Sequence, residues 1–410
     1  MNRERIIEYT CDLVNIPTEN RPPLGFEAEG QKYIRKRLEE LGMEIVEVGP
    51  EDIPGYETNP LFSHDRDFTG RKSIAGIWRG KGNGKSVLLN GHMDVAPKEP
   101  MAWTVTEPFQ ALVKDGKIYG RGSADMKGGL VSALDAIATL KEEGFEPSGD
   151  IIFESVVDEE YAGSNGSLAL ALKGIRADFG IIMESTMEDV CPACVGSLVY
   201  TLTITGNAGM PYTGEVIANP ILDMKDLLQV LDDYNRDRIA AIKKPELWKD
   251  SVQDAQVVYM KLKAGEVTPH GQLSAPIDAW VEIVIQTYPN EKEEEVEAFL
   301  IQYLKEHFKH YDRLNVKKSY HYCPAAQSDL NCKAINIMKE CVDEVTGNDT
   351  KVNGWLGACD LHILNNLCNT PGVVFGPIGE RLHGPDEWVD IDSLVRVSGV
   401  ISEFIKKWCK

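Results

Sequence analysis

The chain has 410 residues, and with 64 acidic and 43 basic side chains its formal net charge is −21. A chain of this length is expected to form two domains rather than one core. The negative charge argues against nucleic acid and anionic membrane as partners, because both favour a basic surface.

The amino-terminal segment does not resemble a targeting signal. Residues 1–10 are charged and amphipathic, and they lack the apolar core and small-residue cleavage site of a secretory signal. No apolar run approaches the roughly 20 residues that a membrane-spanning helix needs. We therefore expect a cytoplasmic protein that does not bind membranes.

The first half of the chain alternates helices with short apolar strands. The predicted helices lie at 3–15, 27–41 and 127–142, and the predicted strands at 43–48, 73–78, 86–89, 151–157 and 179–183. Strands that are apolar throughout are typical of parallel sheets, which are buried on both faces. The pattern predicts an α/β layered catalytic domain with a largely parallel sheet.

The pattern changes after Cys194. The next predicted elements are strand 198–205, helix 217–234, strands 256–263 and 279–287, and helix 291–310. Alternating apolar and polar residues in the first of these strands indicate a half-exposed antiparallel sheet. This order predicts an inserted α+β, ferredoxin-like domain at 195–316. The catalytic domain would comprise 1–194 and 317–410, and its second part would end in a helix at 391–408.

Residues 92–94 form a His-x-Asp motif after the apolar strand at 86–89. His92 is a candidate metal ligand, and Asp94 would then orient its ring. A surface histidine in an ordinary loop gives the same motif. The position at a strand end favours the metal site, because ligand-binding residues of parallel sheets gather at the carboxyl ends of strands.

Asp125 lies in a glycine-rich segment before the long helix at 127–142. An aspartate there commonly caps the helix. The alternative is a carboxylate that bridges two cations, with the glycines allowing the backbone to pass close to them.

The other candidates are acidic residues at strand ends and one loop histidine. Glu159 and Glu160 follow the strand at 151–157, and Glu184 ends the strand at 179–183. Adjacent acidic residues are usually only solvated surface, but unpaired charge beside buried strands would be costly, so these carboxylates are expected to bind a cation. One of the adjacent pair can bind a metal while the other acts as a general base. His383 precedes Gly384-Pro385 and taken alone would more often be structural.

Four stretches resemble the co-catalytic zinc metallopeptidase family of acetylornithine deacetylase, succinyl-diaminopimelate desuccinylase, carboxypeptidase G and aminoacylase. They are Gly-His-Met-Asp at 91–94, Gly-Arg-Gly-Ser-Ala-Asp-Met-Lys-Gly-Gly at 120–129, Asp-Glu-Glu at 158–160 and Leu-His-Gly-Pro-Asp-Glu at 382–387. The resemblance covers nearly the whole chain. It implies hydrolysis of an amide bond in a small N-acyl amino acid or peptide-like substrate, and an inserted lid domain that also forms a homodimer interface.

The resemblance also implies a role for each candidate. His92, Asp125 and Glu184 would hold one divalent cation, and Asp125, Glu160 and His383 the other. The ions, zinc or else cobalt or manganese, would lie about 3.5 Å apart and share a water. Glu159 would be the general base, and Asp94 would support His92.

The inserted domain departs from the family pattern at three positions. Met210 stands where the family usually has a histidine that stabilises the oxyanion, and a thioether cannot donate a hydrogen bond. Loss of such a donor raises the barrier by about 3 kcal/mol. Leu273 and Gln286 stand where the family often has an asparagine and an arginine that hold the substrate. Candidates for substrate contacts are Gln286, His270, Tyr212 and Arg381.

Two hypotheses follow from an intact metal set beside an altered lid. In the first, the chain is a working amidohydrolase with a changed substrate. In the second, it binds metal but has lost efficient catalysis and acts in binding or regulation. A third interpretation, a redox protein based on the Cys-x-x-Cys at Cys191 and Cys194, has little support, because no second such motif accompanies it.

Overall fold

The structure is a computed structural model that describes residues 1–98, 102–160, 165–207, 209, 212, 214–265, 274–318 and 323–410. The chain folds into two compact units. The first unit comprises Met1–Cys194 and Ala326–Lys410, and the second comprises Val195–Ala325. The domains at 1–194, 195–316 and 317–410 stay a prediction.

The described part of the chain contains both helices and strands throughout its length. The helices are α1 (Arg3–Val14), α2 (Ala28–Glu40), α3 (Gly128–Glu142), α4 (Asn165–Lys173), α5 (Pro220–Ala241), α6 (Glu293–His307), α7 (Lys333–Thr346), α8 (Leu361–Asn366) and α9 (Ile391–Trp408). The strands are β1 (Asn20–Arg21), β2 (Leu24–Gly25), β3 (Glu44–Val48), β4 (Ser73–Trp78), β5 (Val87–His92), β6 (Leu112–Lys114), β7 (Lys117–Tyr119), β8 (Ile151–Val156), β9 (Phe179–Ile182), β10 (Val190–Cys194), β11 (Gly196–Thr205), β12 (Val257–Ala264), β13 (Asp278–Thr287), β14 (Leu314–Lys318), β15 (Ala326–Gln327), β16 (Val352–Trp355), β17 (Gly372–Val374), β18 (Gly379–Glu380) and β19 (Trp388–Asp390).

The first unit contains a nine-stranded mixed sheet. Its strand order is β15-β10-β17-β9-β5-β8-β4-β3, and β16 pairs with β10. The four central strands, β17, β9, β5 and β8, are parallel. On one side β4 and β3 continue antiparallel, and on the other β10 is antiparallel to β17. The predicted α/β class is confirmed, and the centre of the sheet is its parallel part.

The central strands and the helix beside them are buried. Every residue of β5, β8 and β9 is buried, which explains why most of their residues are apolar. Helix α3 is buried from Gly128 to Leu140 and packs against α1 and α9. Polar residues that follow these strands are therefore held by a rigid core.

The second unit is an α+β structure of its own. Its four-stranded antiparallel sheet has the order β12-β13-β11-β14, and α5 and α6 pack on it. The chain order β11-α5-β12-β13-α6-β14 is that of a ferredoxin-like fold. Helix α5 begins at Pro220, because the side chain of Asn219 accepts a hydrogen bond from the N–H of Ile221 and caps the first turn.

A small antiparallel sheet of order β18-β19-β7-β6 completes the first unit. Strands β7 and β19 pair between 117–119 and 388–390, so they bring together the segments before Asp125 and after His383. Among the described helices, none combines the length and the apolar composition that crossing a membrane requires.

Candidate metal centre

Three neighbouring parallel strands bring the predicted site residues to one edge of the large sheet. Strand β5 ends at His92, β8 is followed by Glu159 and Glu160, and β9 is followed by Glu184. Strand β5 lies between β8 and β9 and is parallel to both. The carboxyl ends of these strands therefore meet, as expected for a parallel sheet that positions ligand-binding residues.

Asp125 and His383 reach the same edge from two loops. Asp125 lies in the buried segment Ser123–Lys127, a tight turn that leads into α3. His383 lies between β18 and β19, and its backbone is left-handed with φ 59°. A non-glycine residue in this conformation is strained and is held there by its surroundings.

His92 contacts three carboxylates through one ring nitrogen. Its Nε2 lies 3.1 Å from Oδ1 of Asp125 and 3.2 Å from Oε1 of Glu184. Oε2 of Glu159 is 3.9 Å from the same nitrogen. The His92 side chain is 1% exposed, so these groups form the inner part of the cluster.

His383 contacts the outer part of the cluster. Its Nε2 lies 3.2 Å from Oδ2 of Asp125 and 2.7 Å from Oε2 of Glu160. The His383 side chain is 54% exposed, so this end of the cluster faces solvent. The two oxygens of Asp125 thus contact the two histidines, one each.

Two groups of three residues have potential ligand atoms that all lie within 4.8 Å of one another. One group is His92, Asp125 and Glu160, and the other is His92, Glu159 and Glu184. The sets implied by the family resemblance share these residues but divide them differently, and His383 belongs to neither group. All the predicted ligands nevertheless lie within one connected cluster.

The close packing of acids and imidazoles changes their proton affinities. Burial raises the pKa of Glu159 well above its usual value, and the negative charge of Asp360 adds to this effect. Burial and the charge of Asp125 raise the pKa of Glu184 to about 7. Burial by itself lowers the pKa of His92, but its hydrogen bonds to Asp125 and Glu184 raise it well above normal. Glu160 has the largest effect in raising the pKa of His383.

The donor set fits divalent cations such as zinc. Carboxylate oxygens and imidazole nitrogens converge at distances short enough for one ion to contact several of them. Oε2 of Glu184 is buried and has no hydrogen-bond partner within the described part of the chain. A buried acidic oxygen without a donor is costly unless a cation satisfies it.

The carboxylate of Asp94 contacts the backbone of the two glutamates. Nδ1 of His92 lies 2.8 Å from the backbone oxygen of Asp94 but 3.8 Å from its carboxylate. The carboxylate accepts hydrogen bonds from the N–H groups of Glu159 at 3.2 Å and Glu160 at 3.0 Å. Asp94 therefore orients the ring through its main chain, while its side chain holds the loop after β8.

Several buried polar residues around the cluster were not predicted from the sequence. Asn20 donates to the carboxylates of Asp94 and Asp158, and Asp158 also pairs with Arg66 and Arg71. In the sequence, the only sign of this role is that Asp158 belongs to the Asp-Glu-Glu motif. The partners are distant along the chain and carry no spacing signal.

The candidates for substrate contacts lie in different parts of the molecule. Arg381 is near His383 in sequence, and its guanidinium is 3.5 Å from Oδ2 of Asp386. Gln286 lies on β13 of the second unit, where its Oε1 accepts from the N–H of Gln256 at 3.3 Å. Tyr212 is 80% exposed. His270, Met210 and Leu273 lie outside the described residues.

The Cys-x-x-Cys motif forms part of strand β10, and both of its thiols are buried and free. Burial raises the pKa of the Cys191 thiol, which makes it unreactive. This environment is that of a structural cysteine rather than of a redox pair.

Comparison with known proteins identifies related sequences and folds. The sequence model of peptidase family M20/M25/M40 matches residues 88–407. The chain is 26% identical to N-formyl-4-amino-5-aminomethyl-2-methylpyrimidine deformylase of Halalkalibacterium halodurans, covering 100% of this chain and 95% of that protein. It is 27% identical to succinyl-diaminopimelate desuccinylase of Buchnera aphidicola, with 98% of each chain covered.

Solved structures share the fold over the whole chain. A dipeptidase of Saccharomyces cerevisiae matches with a TM-score of 0.77 at 17% identity, covering 99% of this chain and 96% of that chain. A protein of Bacillus subtilis described as a dinuclear metal-binding peptidase matches with a TM-score of 0.64 at 18% identity, covering 99% and 98%. The fold of these proteins and the fold of this chain are the same.

Proposed function

The chain belongs to peptidase family M20/M25/M40, and from this premise we propose that it hydrolyses the amide bond of a small acylated amine at the cluster around His92. The predicted family membership is confirmed, and with it the reaction class: the chain is a metal-dependent hydrolase of amide bonds.

We assign His92, Asp125 and Glu184 to one cation and Asp125, Glu160 and His383 to the other. The 3.1 Å and 3.2 Å contacts of Asp125 with the two histidines support its role as the bridging ligand. Zinc suits this mixture of nitrogen and oxygen donors, and cobalt or manganese can replace it. Two divalent cations bound there supply positive charge that acidifies a water molecule and polarises the scissile carbonyl.

The observation that carries the proposal is the position of Glu159. Its carboxylate lies 3.9 Å from Nε2 of His92 and its side chain is only 16% exposed, so it lies beside the proposed ligands. The assignment above leaves this carboxylate available as a base. Its backbone N–H is held by Asp94. Glu159 therefore takes the proton of the attacking water at a carboxylate oxygen and delivers it to the leaving nitrogen.

The substrate is a small amide, such as an N-acyl amino acid or a peptide-like compound. One relative is named as a deformylase of an aminomethyl pyrimidine and another as a desuccinylase of diaminopimelate. Both names describe removal of an acyl group from an amine. Gln286 stands where the family often has an arginine, and without that cation we expect weaker dependence on a substrate carboxylate.

The experiment measures amide hydrolysis by enzyme that has been stripped with a chelator and reloaded with zinc, cobalt or manganese. The panel contains N-formyl, N-acetyl and N-succinyl amines, with and without a carboxylate beside the amide, together with dipeptides. We expect turnover that requires added metal and falls at least about 100-fold in Glu159→Gln, the effect of removing a general base. An exposed-residue control, Glu57→Gln, keeps full activity.

The metal content of both variants is measured alongside their activity. Turnover by Glu159→Gln equal to that of the unchanged enzyme contradicts the assignment of the base. Absence of metal-dependent turnover across the panel supports instead the hypothesis that the chain binds metal but has lost catalysis.

We further propose a homodimer through the second unit. Strand β12 is at the edge of its sheet, and Tyr259, Met260 and Leu262 on this strand are 40%, 54% and 57% exposed. Apolar residues on an open strand edge favour pairing with another chain. Light scattering tests this: Met260→Lys is expected to give a monomer, whereas Val252→Lys, at a residue that is 100% exposed, leaves the mass unchanged. A monomeric unchanged protein contradicts the proposal.

We propose a cytoplasmic location for the protein because of the state of its cysteines. All nine are free and most are buried, as is usual for proteins of a reducing compartment. Fractionation of cells that produce the protein tests this location, and recovery of the protein outside the cytoplasm contradicts it.

A further inference from the structure

Glu387 is a buried carboxylate that binds the backbone of residues 122–125, the turn that carries Asp125. Its side chain is fully buried. Oε1 accepts hydrogen bonds from the N–H groups of Ala124 at 2.9 Å and Asp125 at 3.1 Å, and Oε2 accepts one from Gly122 at 3.0 Å. Both oxygens are thus used to hold the tight turn from which Asp125 projects.

Arg121 connects this carboxylate to the His383 loop. Its Nη1 donates to Oε2 of Glu387 at 2.8 Å, and its Nη2 donates to the backbone oxygen of His383 at 3.1 Å. The Arg121 side chain is 1% exposed. One buried ion pair therefore contacts the main chain of both residues whose side chains meet at the outer part of the cluster.

Folding stability alone does not explain why the Arg121–Glu387 ion pair is buried. A buried ion pair contributes little net free energy of folding, because removing both charges from water offsets their attraction. Its hydrogen bonds do fix the relative positions of two loops. The His383 backbone is left-handed, with φ 59°, and such a residue requires support from its neighbours.

We propose that Glu387 and Arg121 are positioning residues of the metal centre, and that they differ in the number of cation sites they affect. Glu387 fixes the backbone of Asp125 and so affects both cations, because Asp125 bridges them. Arg121, through its bond to the His383 carbonyl, mainly fixes the ligand of the second cation. This inference rests on the proposed function, which supplies the assignment of the ligands.

Zinc titrations of the full-length protein test the inference. Metal-free protein competes for Zn²⁺ with a chromophoric chelator, which gives the number of bound ions and the affinity of each. We expect two ions for the unchanged protein. Glu387→Gln weakens both sites at least tenfold. A carboxylate accepts these hydrogen bonds at two oxygens, whereas the NH₂ group of a glutamine cannot accept one. Arg121→Lys keeps a cation beside Glu387 but loses the forked contact, and it weakens only the second site at least tenfold.

Two further readouts separate positioning from general damage. Glu291→Gln breaks another buried pair, in which Nη2 of Arg238 lies 2.8 Å from the carboxylate, and it is expected to leave both zinc affinities unchanged. Excess zinc is expected to restore most of the activity of Arg121→Lys, since mass action refills a weakened site. The visible spectrum of bound Co²⁺ changes in Arg121→Lys at the second equivalent only.

The outcomes distinguish this inference from the proposed function. Affinities of Glu387→Gln and Arg121→Lys within twofold of the unchanged protein overturn the positioning role. Equal weakening of both sites in Arg121→Lys overturns the division of roles. This test does not need Glu387→Gln, so it applies even if that variant does not fold. If the unchanged protein binds fewer than two zinc ions, the dinuclear function itself is wrong.

Discussion

The side-chain amide of Asn20 donates a hydrogen bond to the carboxylate of Asp94 at 2.8 Å. The same nitrogen lies 3.2 Å from Oδ1 of Asp158, so one NH₂ group stands between two buried carboxylates. Asp94 in turn holds the backbone of Glu159 and Glu160. The amino-terminal residues therefore contribute to the position of the proposed base.

Asn20→Asp is expected to destabilise the protein strongly. The change replaces a donor by a third carboxylate between two others, all of them buried, and uncompensated buried charge costs about 3 kcal/mol or more. Urea unfolding of the metal-free protein measures the loss. Asn348→Asp makes the same chemical change at an exposed position and should alter the free energy of unfolding by less than about 0.5 kcal/mol. Equal stability of the two variants would contradict the expected role of Asn20.

His383→Ala is expected to lose one of two bound metal ions with little loss of stability. Its side chain contacts Asp125 and Glu160 but is 54% exposed, so its removal leaves no large cavity. Metal content after gel filtration gives the stoichiometry, and thermal unfolding without metal gives the stability. The control His64→Ala changes an exposed histidine outside the cluster and should keep both ions. Two tightly held ions in His383→Ala would show that this residue is not a ligand.

Residue types at strand ends allow much of the site to be predicted from the sequence. His92, Glu159, Glu160 and Glu184 follow apolar strands whose parallel pairing brings their ends together. Asp125 and His383 come from loops, and only the family resemblance joins them to the rest. Their common position depends on pairing between β7 and β19. Each of these strands has three residues, too few for an alternation of apolar and polar residues to be recognised in the sequence.

The supporting residues could not be predicted because their contacts have no local pattern. Asn20 and Asp94 are 74 positions apart, and Arg121 and Glu387 are 266 apart. The glycines around Asp125 were expected to let the backbone approach metal ions. In the structure, Gly122 has a left-handed backbone with φ 81°, and Gly129 allows a helix to touch a strand end. The need for glycine thus comes from backbone conformation at Gly122 and from close packing at Gly129.

Gly129→Ala is expected to destabilise the protein and weaken metal binding. A Cβ at this position would lie 2.0 Å from the backbone oxygen of Met183, the residue before Glu184, so α3 and the end of β9 would have to separate. We expect a loss of about 2 kcal/mol in urea unfolding and a lower zinc affinity. Gly399→Ala is the matched control in α9, because its Cβ would be 3.4 Å from Val345. Alanine favours helix over glycine by up to about 1 kcal/mol, so this control should be neutral or stabilising.

Glu154→Gln is expected to change how stability depends on pH. Glu154 lies on β8, is 2% exposed and accepts a hydrogen bond from Asn90 at 2.8 Å. Burial raises its pKa to about 8, whereas the unfolded chain releases the proton near the ordinary value of about 4.3. Between these values the folded state holds one more proton, so stability falls as pH rises, by up to about 1.4 kcal/mol per pH unit from this group. The contribution is complete below about pH 4 and lost above about pH 8.

The glutamine variant keeps an oxygen for Asn90 and cannot ionise. Relative to the unchanged protein, it should gain stability progressively from pH 5.5 to pH 8.5 in urea unfolding of metal-free samples. Glu146→Gln, at an exposed position, should follow the pH dependence of the unchanged protein. Parallel pH curves for Glu154→Gln and the unchanged protein would mean that Glu154 is already ionised in the folded state. Because Asn90 and Glu154 precede the strand ends that carry His92 and Glu159, proton uptake here stabilises the strands beneath the metal centre without involving its ligands.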